Sequence, residues 1–272
     1  MRRYFSKNSL IWIASLVPPL FYGLMFLKGG INFFLRRVHD EDFQFFRYCK
    51  DLKKGGQFID VGGNFGQSAL SYSIIDRGRD IISFEPNRTL EPYLRYVRRL
   101  LGKRYRYYLV GIGEKEVNLK LYAPKLNNVV LTGEASFDPA EVESQMVRDR
   151  VGLRYSITST ECKITRFDDF VAEHNLVPHI IKIDVQGYEL SALRGMSYAI
   201  GKFRPILMME KNNDSQFKAI QDFLADFKYG TFFYDHIKNK LLLTDPHSSY
   251  GSNYFAFPQE TVERDLQAFI QH

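Results

Sequence analysis

Two short segments carry the residue types from which a ligand site could be built. In the first, Phe58 to Gly66, a hydrophobic run ends at an acid and passes into three glycines. Glycine allows a tight turn and lets a ligand approach the backbone without a Cβ in the way. In the second, Lys182 to Glu189, another apolar run ends at an acid, Asp184, before a glycine. Ligands of parallel sheets lie at such strand ends, so we expect both segments to face one site.

The acid in the first segment indicates the kind of ligand. A dinucleotide site usually shows Gly-x-Gly-x-x-Gly and places a pyrophosphate at the helix N-terminus. Here the glycines are Gly62, Gly63 and Gly66, and Asp60 stands ahead of them. An anionic Asp60 would repel a pyrophosphate but suits the cationic amino-acid end of S-adenosylmethionine, directly or through water. The turn therefore favours this methyl donor over a nicotinamide dinucleotide.

A second acid completes the predicted nucleoside site. Glu85 lies 19 residues after Gly66, at the end of the next predicted strand. There it can accept two hydrogen bonds from ribose hydroxyls. Neither the glycine turn nor Glu85 alone is specific evidence for a nucleoside site, but the two in this order are. The predicted cofactor-binding residues are Asp60, Gly62, Gly63, Asn64, Phe65, Gly66, Ser68, Glu85, Pro86, Asn87, Ile112, Asp184 and Val185.

These motifs, in this order, resemble the FkbM-type family of S-adenosylmethionine-dependent methyltransferases. The family pattern I-D-V-G-A-N-x-G, F-E-P and I-K-I-D-V-E-G-Y-E is matched at Ile59–Gly66, Phe84–Pro86 and Ile181–Glu189. The resemblance covers residues 57–257, and the segment Arg166-Phe167-Asp168-Asp169 looks like the family's L-D-D element.

Two positions depart from the family pattern. Gly63 replaces the usual alanine, which is a mild change. Gln186 replaces the usual glutamate and removes a carboxylate near the expected active face. That change puts in doubt any role of position 186 as a base. The N-terminal segment lies outside the resemblance.

The resemblance implies O-methylation of a hydroxyl on a sugar, a glycan or another small molecule, by in-line attack on the sulfonium methyl group. Such a step depends on proximity and alignment, and a base helps as the hydroxyl loses its proton. Asp184 is the first candidate for the base or for orienting the acceptor, and Glu210 and Glu189 are weaker candidates. Alternatively, these three carboxylates are structural, or Asp184 and Glu210 share a divalent cation with Asn212. Our prediction includes no metal.

Alternating β-rich and helical stretches from residue 57 onward would position these residues. They predict an α/β, Rossmann-like class I methyltransferase fold. Its mostly parallel seven-stranded sheet carries helices on both faces, and an apolar N-terminal helical arm is added. Between residues 123 and 160 no periodicity persists, so we predict a long loop of the kind that often covers a binding site. We also predict single helices at 89–101 and 189–200.

The net charge of +6 lies at the N-terminus. Residues 1–54 carry ten basic and four acidic residues, so residues 55–272 are balanced. We therefore predict a basic, apolar arm at 1–54 and a methyltransferase domain at 55–272. The uncharged run 8–27 is long enough to cross a bilayer, but Pro18-Pro19 at its centre predicts two half-length helices. This run either contacts a membrane or packs on the domain. With only two cysteines, we expect a cytoplasmic protein, whether or not the arm attaches it to a membrane.

Two other functions compete with this hypothesis. A nucleic-acid methyltransferase is suggested by the basic stretch Arg95 to Arg106. The balanced charge of the domain opposes this alternative. So does the segment Asp184-Val185-Gln186, which stands where amino-methylating enzymes have an Asn/Asp-Pro-Pro-Tyr type of motif that holds a flipped base. A non-catalytic binding protein that retains the fold is opposed by the complete donor motif. We expect a small-molecule or glycan acceptor as the partner, and the sequence leaves the oligomeric state open.

Overall fold

The computed structural model describes residues 16–152, 154–211, 214–244 and 253–271. The strands are β1 (Gln57–Val61), β2 (Ile81–Phe84), β3 (Tyr105–Tyr108), β4 (Gly111–Ile112), β5 (Val117–Leu126), β6 (Val129–Val130), β7 (Ser156–Thr165), β8 (Pro178–Ile183), β9 (Ile206–Glu210), β10 (Tyr229–Asp235), β11 (Lys240–Leu243), β12 (Asn253–Pro258) and β13 (Ile270–Gln271). The helices are α1 (Pro18–Phe34), α2 (Phe46–Cys49), α3 (Gln67–Ile75), α4 (Glu91–Leu101), α5 (Pro139–Val142), α6 (Gln145–Val151), α7 (Phe167–His174), α8 (Glu189–Arg194), α9 (Ser197–Phe203), α10 (Asp214–Asp226) and α11 (Gln259–Thr261).

The main sheet has the strand order β13-β11-β10-β12-β9-β8-β1-β2-β3. Strands β9, β8, β1, β2 and β3 are parallel, while β12 is antiparallel to both β9 and β10. The predicted Rossmann-like α/β class is confirmed. The sheet has nine strands in the described residues, against the seven predicted, because β11 and β13 extend it beyond β10. The strand order changes direction at β1, between β2 and β8, and ligands of such sheets bind at this switch point.

A second sheet replaces much of the predicted loop at 123–160, so that prediction was wrong in part. Its strand order is β4-β7-β5-β6, and β5 pairs with β7 in an antiparallel register from Val117↔Ile164 to Lys125↔Ser156. The beginning of β7 is polar and largely exposed, in the run Ser156-Ile157-Thr158-Ser159-Thr160. Since one face of an antiparallel sheet can be solvated, this strand lacks the apolar pattern by which strands are recognised.

The predicted helix at 189–200 is also interrupted, because α8 ends at Arg194 and α9 begins at Ser197. Gly195 lies between them, and a Cβ added there would be 1.9 Å from the carbonyl oxygen of Gly113. The backbone between α8 and α9 therefore packs directly against the turn that follows β4. The predicted helix at 89–101 begins as a 3-10 turn at Arg88–Leu90 and continues as α4.

The segment before residue 55 contributes to the core of the domain. Phe43, Phe45 and Phe46 are fully buried and belong to the same apolar cluster as Phe58 and Tyr72. The rings of Phe58 and Tyr72 stack with their centroids 3.9 Å apart. The packed domain therefore begins before the boundary predicted at residues 54 and 55.

Helix α1 begins where the paired prolines were expected to interrupt the uncharged run, at Pro18. Proline is tolerated in a first helical turn because the amide donors there have no partner within the helix. The earlier part of the run, up to residue 15, lies outside the described residues. In the part of the chain that the structure describes, no helix is both long enough and apolar enough to cross a membrane.

Candidate active site

A cleft of about 760 Å³, including its open mouth, lies at the carboxyl ends of β1, β2 and β8. Seven of the predicted cofactor-binding residues line it: Gly62, Asn64, Glu85, Pro86, Asn87, Asp184 and Val185. The structure adds seven lining residues that are not among the predicted cofactor-binding residues: Gln67, Leu121, Thr132, Gly133, Ala135, Phe137 and Gln186. Five of these, Leu121 to Phe137, belong to the second sheet and its connections. The segment predicted as a covering loop does line the site, although it is built largely from strands.

The remaining predicted cofactor residues support the cleft without lining it. Ser68 and Ile112 are buried in the core, and Gly63 and Gly66 are buried in the turn. The Phe65 ring points to α1, where its centroid lies 6.1 Å from that of Tyr22. Sequence spacing identified the turn correctly but did not show which side of it each residue faces.

The glycine turn needs its glycines for conformation and for space. Gly62 has φ +84° and Gly66 has φ +83°, which are left-handed values that disfavour other residues. A Cβ on Gly62 would lie 1.9 Å from the carbonyl oxygen of Asp184. The amide of Asp184 donates a hydrogen bond to the carbonyl of Val61 at 3.0 Å. The loop after β1 and the loop after β8 are therefore in direct backbone contact.

We expect Gly62→Ala to destabilise the fold by about 2–4 kcal/mol, because alanine brings both a strained φ and a backbone clash. Urea denaturation of the variant measures this loss. Gly78→Ala is the matched control, since its added Cβ would meet its nearest atom, Asp76 Oδ1, at 3.7 Å. The control should change stability by less than about 1 kcal/mol. Equal stability of the two variants would contradict the assignment of Gly62.

Glu85 lies on the cleft wall at the end of β2. One carboxylate oxygen accepts a hydrogen bond from the amide of Asn64 at 2.7 Å, and the other accepts one from the amide of Asn87 at 2.9 Å. These contacts fix the carboxylate between the glycine turn and the start of the next helical turn. Only 6% of the residue is exposed, and burial raises the pKa of Glu85 to about 7. The arrangement suits an acceptor of ribose hydroxyl groups, as the sequence predicts.

Lys182 connects the two acidic strand ends, a role that was not predicted from the sequence. Its Nζ donates a hydrogen bond to the carbonyl of Gly62 at 3.1 Å. It also lies 3.4 Å from Asp60 Oδ1 and 3.2 Å from Asp184 Oδ2. Burial lowers the pKa of Lys182, but the two carboxylates outweigh burial and raise it above its usual value. The sequence did contain a signal for this role, because Lys182 is a charged residue within the apolar run Ile180-Ile181-Lys182-Ile183.

This ion pair corrects the role predicted for Asp60. Its side chain is fully buried, accepts a hydrogen bond from Ser83 Oγ at 2.9 Å and pairs with Lys182. The side chain does not line the cleft, and burial raises the pKa of Asp60 although Lys182 and Ser83 act in the opposite direction. Asp60 therefore holds the turn and Lys182 in place, and the predicted contact with the amino-acid end of the donor is not supported.

We expect Lys182→Met to cost about 3–5 kcal/mol of stability, because it leaves the buried Asp60 without its cation. Guanidinium denaturation at neutral pH measures this cost. Lys218→Met is the control, since Lys218 pairs with Asp222 on the exposed face of α10 and should contribute less than about 1 kcal/mol. A loss no larger than that of the control would refute the linking role of Lys182.

Asp184 and Glu210 come together through Gln186. The Gln186 amide nitrogen donates to Asp184 Oδ1 at 2.9 Å and to Glu210 Oε2 at 2.5 Å. A glutamate at position 186 could not donate to both carboxylates, because an ionised carboxylate has no donor and a protonated one has a single O–H. Burial alone would raise the pKa of Asp184, but Lys182 and Gln186 outweigh it, so the pKa lies below its usual value. Asp184 is therefore ionised at neutral pH and half-exposed on the cleft wall.

A family model described as the methyltransferase FkbM domain matches residues 60–231, which is more than half of the chain. The chain belongs to the FkbM family of S-adenosylmethionine-dependent methyltransferases. A comparison with curated proteins found no significant match.

Several solved structures are similar to this FkbM chain. A methyltransferase FkbM from Methylobacillus flagellatus KT is 16% identical, with a TM-score of 0.49 over 75% of this chain and 44% of its own. A putative caffeoyl-CoA O-methyltransferase from Staphylococcus aureus is 9% identical, with a TM-score of 0.43 over 81% and 84%. Fibrillarin from Aeropyrum pernix, in complex with S-adenosyl-L-methionine, is 13% identical, with a TM-score of 0.40 over 75% and 67%. The chain thus spans less than half the length of the Methylobacillus protein, and its assignment rests on the family model.

Glu189 has a structural position in this FkbM chain, which corrects its prediction as a catalytic base. Its side chain is fully buried, and its carboxylate accepts hydrogen bonds from the amides of Val185 at 3.2 Å and Gly187 at 3.0 Å. Burial raises the pKa of Glu189 to about 7. The residue shapes the turn after β8 and does not face the cleft.

The alternative of a shared metal ion remains a hypothesis without support. Asn212 lies outside the described residues. Among the residues that are described, no group of three or more His, Cys, Asp and Glu side chains could hold a metal ion.

The N-terminal segment contacts the strand beside Glu210, and the sequence did not indicate this. Ser71 Oγ accepts a hydrogen bond from the backbone amide of His39 at 2.9 Å, and His39 Nδ1 lies 2.8 Å from the same oxygen. The side chain of Asn253 donates to the Asp40 carboxylate at 2.8 Å, and Asn253 pairs with Glu210 across β12 and β9. Since these residues are far apart in sequence, only the fold brings them together.

Proposed function

We propose that this FkbM methyltransferase transfers a methyl group from S-adenosylmethionine to a hydroxyl group of a sugar, a glycan or another small molecule. The observation that carries the proposal is the pair formed by Glu85 and Asp184, two acids on the wall of one cleft, at the ends of the two strands that flank β1. Their surroundings differ, because burial raises the pKa of Glu85 while Lys182 holds that of Asp184 low. This difference supports separate roles for the two acids.

The residues around Glu85 fit the nucleoside part of the donor. Glu85 would accept hydrogen bonds from the ribose hydroxyls, and the amides of Asn64 and Asn87 already orient its two oxygens. Two apolar side chains that line the same cleft, Leu121 and Phe137, would contact the adenine ring. When bound, the donor supplies a methyl group activated by a positively charged sulfur.

The residues around Asp184 fit the acceptor. An ionised carboxylate with a low pKa is a weak base, but it is a strong hydrogen-bond acceptor for a hydroxyl group. Lys182 and Gln186 hold the Asp184 carboxylate from two sides, so that it can align the hydroxyl oxygen for attack. Glu210 does not line the cleft but is joined to Asp184 through Gln186, so it would take the proton through water.

The basic stretch Arg95 to Arg106 does not favour the nucleic-acid alternative. Arg95 pairs with Glu91 at 2.8 Å, Arg98 donates to the carbonyl of Tyr105, and Arg104 donates to the carbonyl of Asp76 at 2.9 Å. These three guanidinium groups make intramolecular ion pairs or hydrogen bonds, which supports a role in the packing of α4 and β3.

Methyl transfer from isotopically labelled S-adenosylmethionine tests the proposal. The purified chain is incubated with fractionated cell metabolites, and labelled products are identified by mass spectrometry and their linkage by NMR. We expect one labelled methyl group on an oxygen of a hydroxylated acceptor, and its loss with Asp184→Asn. Labelling only of nitrogen, carbon or added nucleic acid would contradict O-methylation while leaving the family assignment intact.

A further inference from the structure

Helix α1 has two opposite apolar faces, and the residues that the structure describes cover only one of them. On the covered face, the Tyr22 ring lies 6.1 Å from Phe65 and the Phe26 ring lies 5.3 Å from Tyr93, measured between centroids. The Tyr22 hydroxyl also donates to the carbonyl of Val130 at 3.1 Å. This face attaches α1 to the glycine turn and to the second sheet.

The other face forms a continuous exposed stripe at the end of the helix. The stripe consists of Leu24, Leu27, Ile31, Phe34 and Leu35, whose exposed fractions range from 48% to 70%. At about 100° per residue, these positions fall within about 100° of the helix circumference, opposite Tyr22 and Phe26. Such a contiguous apolar surface indicates contact with a membrane or another protein.

The charges around the stripe favour an anionic lipid surface. The first 39 residues contain six basic residues and no acidic residue, so they carry the entire net charge of the chain. Of these basic residues, Lys28, Arg36 and Arg37 lie within or directly after α1 and are exposed. Basic groups beside an apolar helical face are typical of helices that lie in the membrane interface.

We propose that α1 docks this chain on an anionic membrane surface, with the stripe Leu24 to Leu35 inserted among the lipids and the helix lying in the plane of the interface. The covered face keeps α1 attached to Phe65, so the cofactor cleft is held close to that surface. Helix α1 contacts lipid on one face only, in agreement with the finding that no described helix is both long enough and apolar enough to cross a membrane. This proposal does not depend on the identity of the methyl acceptor.

Flotation of the full chain with vesicles tests the proposal. We expect the chain to float with vesicles of phosphatidylcholine and phosphatidylglycerol, and to remain at the bottom with phosphatidylcholine alone. High salt should reduce the bound fraction. The triple variant Leu27→Gln, Ile31→Gln, Phe34→Gln should lower binding by about tenfold or more, because it removes the inserted apolar area.

Two controls separate this result from misfolding and from self-association. The double variant Ile237→Gln, Leu243→Gln removes exposed apolar residues outside α1 and should float like the original chain. The triple variant should keep its S-adenosylmethionine affinity, measured by calorimetry, since its residues do not line the cleft. The proposal is overturned if the full chain does not float, or if the triple variant floats equally well. It is also overturned if sedimentation shows that the stripe forms a dimer that does not bind vesicles.

Discussion

Asp184→Asn should lower turnover by about a hundredfold or more while changing donor affinity by less than about tenfold. Asparagine keeps the shape of the side chain but removes the charge that Lys182 and Gln186 hold in place. The loss should therefore fall on the alignment and deprotonation of the acceptor. Steady-state kinetics with the acceptor identified by labelling give kcat, and calorimetry gives the donor affinity.

The pH dependence of the same reaction distinguishes the roles of the acids. Because the pKa of Asp184 lies below its usual value, this carboxylate stays ionised down to acidic pH and should cause no change in kcat between pH 6 and 8. Asp222→Asn, an exposed carboxylate on α10, is the control and should leave turnover unchanged. Full turnover of Asp184→Asn would show that Asp184 does not serve the acceptor.

The second large effect is expected at Glu85. Glu85→Ala should weaken S-adenosylmethionine binding by about ten- to a hundredfold, because hydrogen bonds from hydroxyls to a charged acceptor contribute about 1.5–3 kcal/mol. Glu91→Ala on the following helix is the matched control, since Glu91 pairs with the exposed Arg95 and should not affect the donor. Calorimetric titration of both variants measures the difference. An unchanged affinity of Glu85→Ala would reject the ribose assignment.

Glu85 should also make donor binding depend on pH. Its pKa in the folded chain is about 7, and the ionised form is the better acceptor of two hydroxyl hydrogen bonds. Donor affinity should therefore rise as the pH increases through 7 and fall as the pH decreases below it. In Glu85→Gln this dependence should disappear, because the amide does not titrate. A dependence that persists in Glu85→Gln would assign the titration to another group, such as Glu189.

The donor side of the site could be predicted from the sequence because its features are local. The glycine turn follows directly from β1, and Glu85 follows directly from β2, so strand order alone brings them to one edge of the sheet. What the sequence could not show was the direction of each side chain. Asp60 precedes the turn in sequence, but it points into the core and meets Lys182 from β8.

The proposed acceptor side depends on contacts between residues that are distant in sequence, and it was predicted less well. Asp184 and Glu210 were expected near the site, and the structure joins them through Gln186, whose amide can donate to both. Nothing in the local pattern indicated that Asp40 would contact Asn253, or that the segment predicted as a covering loop would be built largely from strands β5 to β7. Those strands are short of apolar residues on their exposed face, so the periodicity that reveals a strand is weak there.

A crystal structure of the chain with S-adenosylhomocysteine, the product of the donor, is the most direct test of the proposed site. We expect its ribose hydroxyls within hydrogen-bonding distance of the Glu85 carboxylate and its amino-acid part beside the Gly62 turn. The adenine should contact Leu121 or Phe137, and the sulfur should lie on the side of the cleft that Asp184 lines. A product bound elsewhere, with Glu85 still paired only to the amides of Asn64 and Asn87, would contradict the assignment of the cleft.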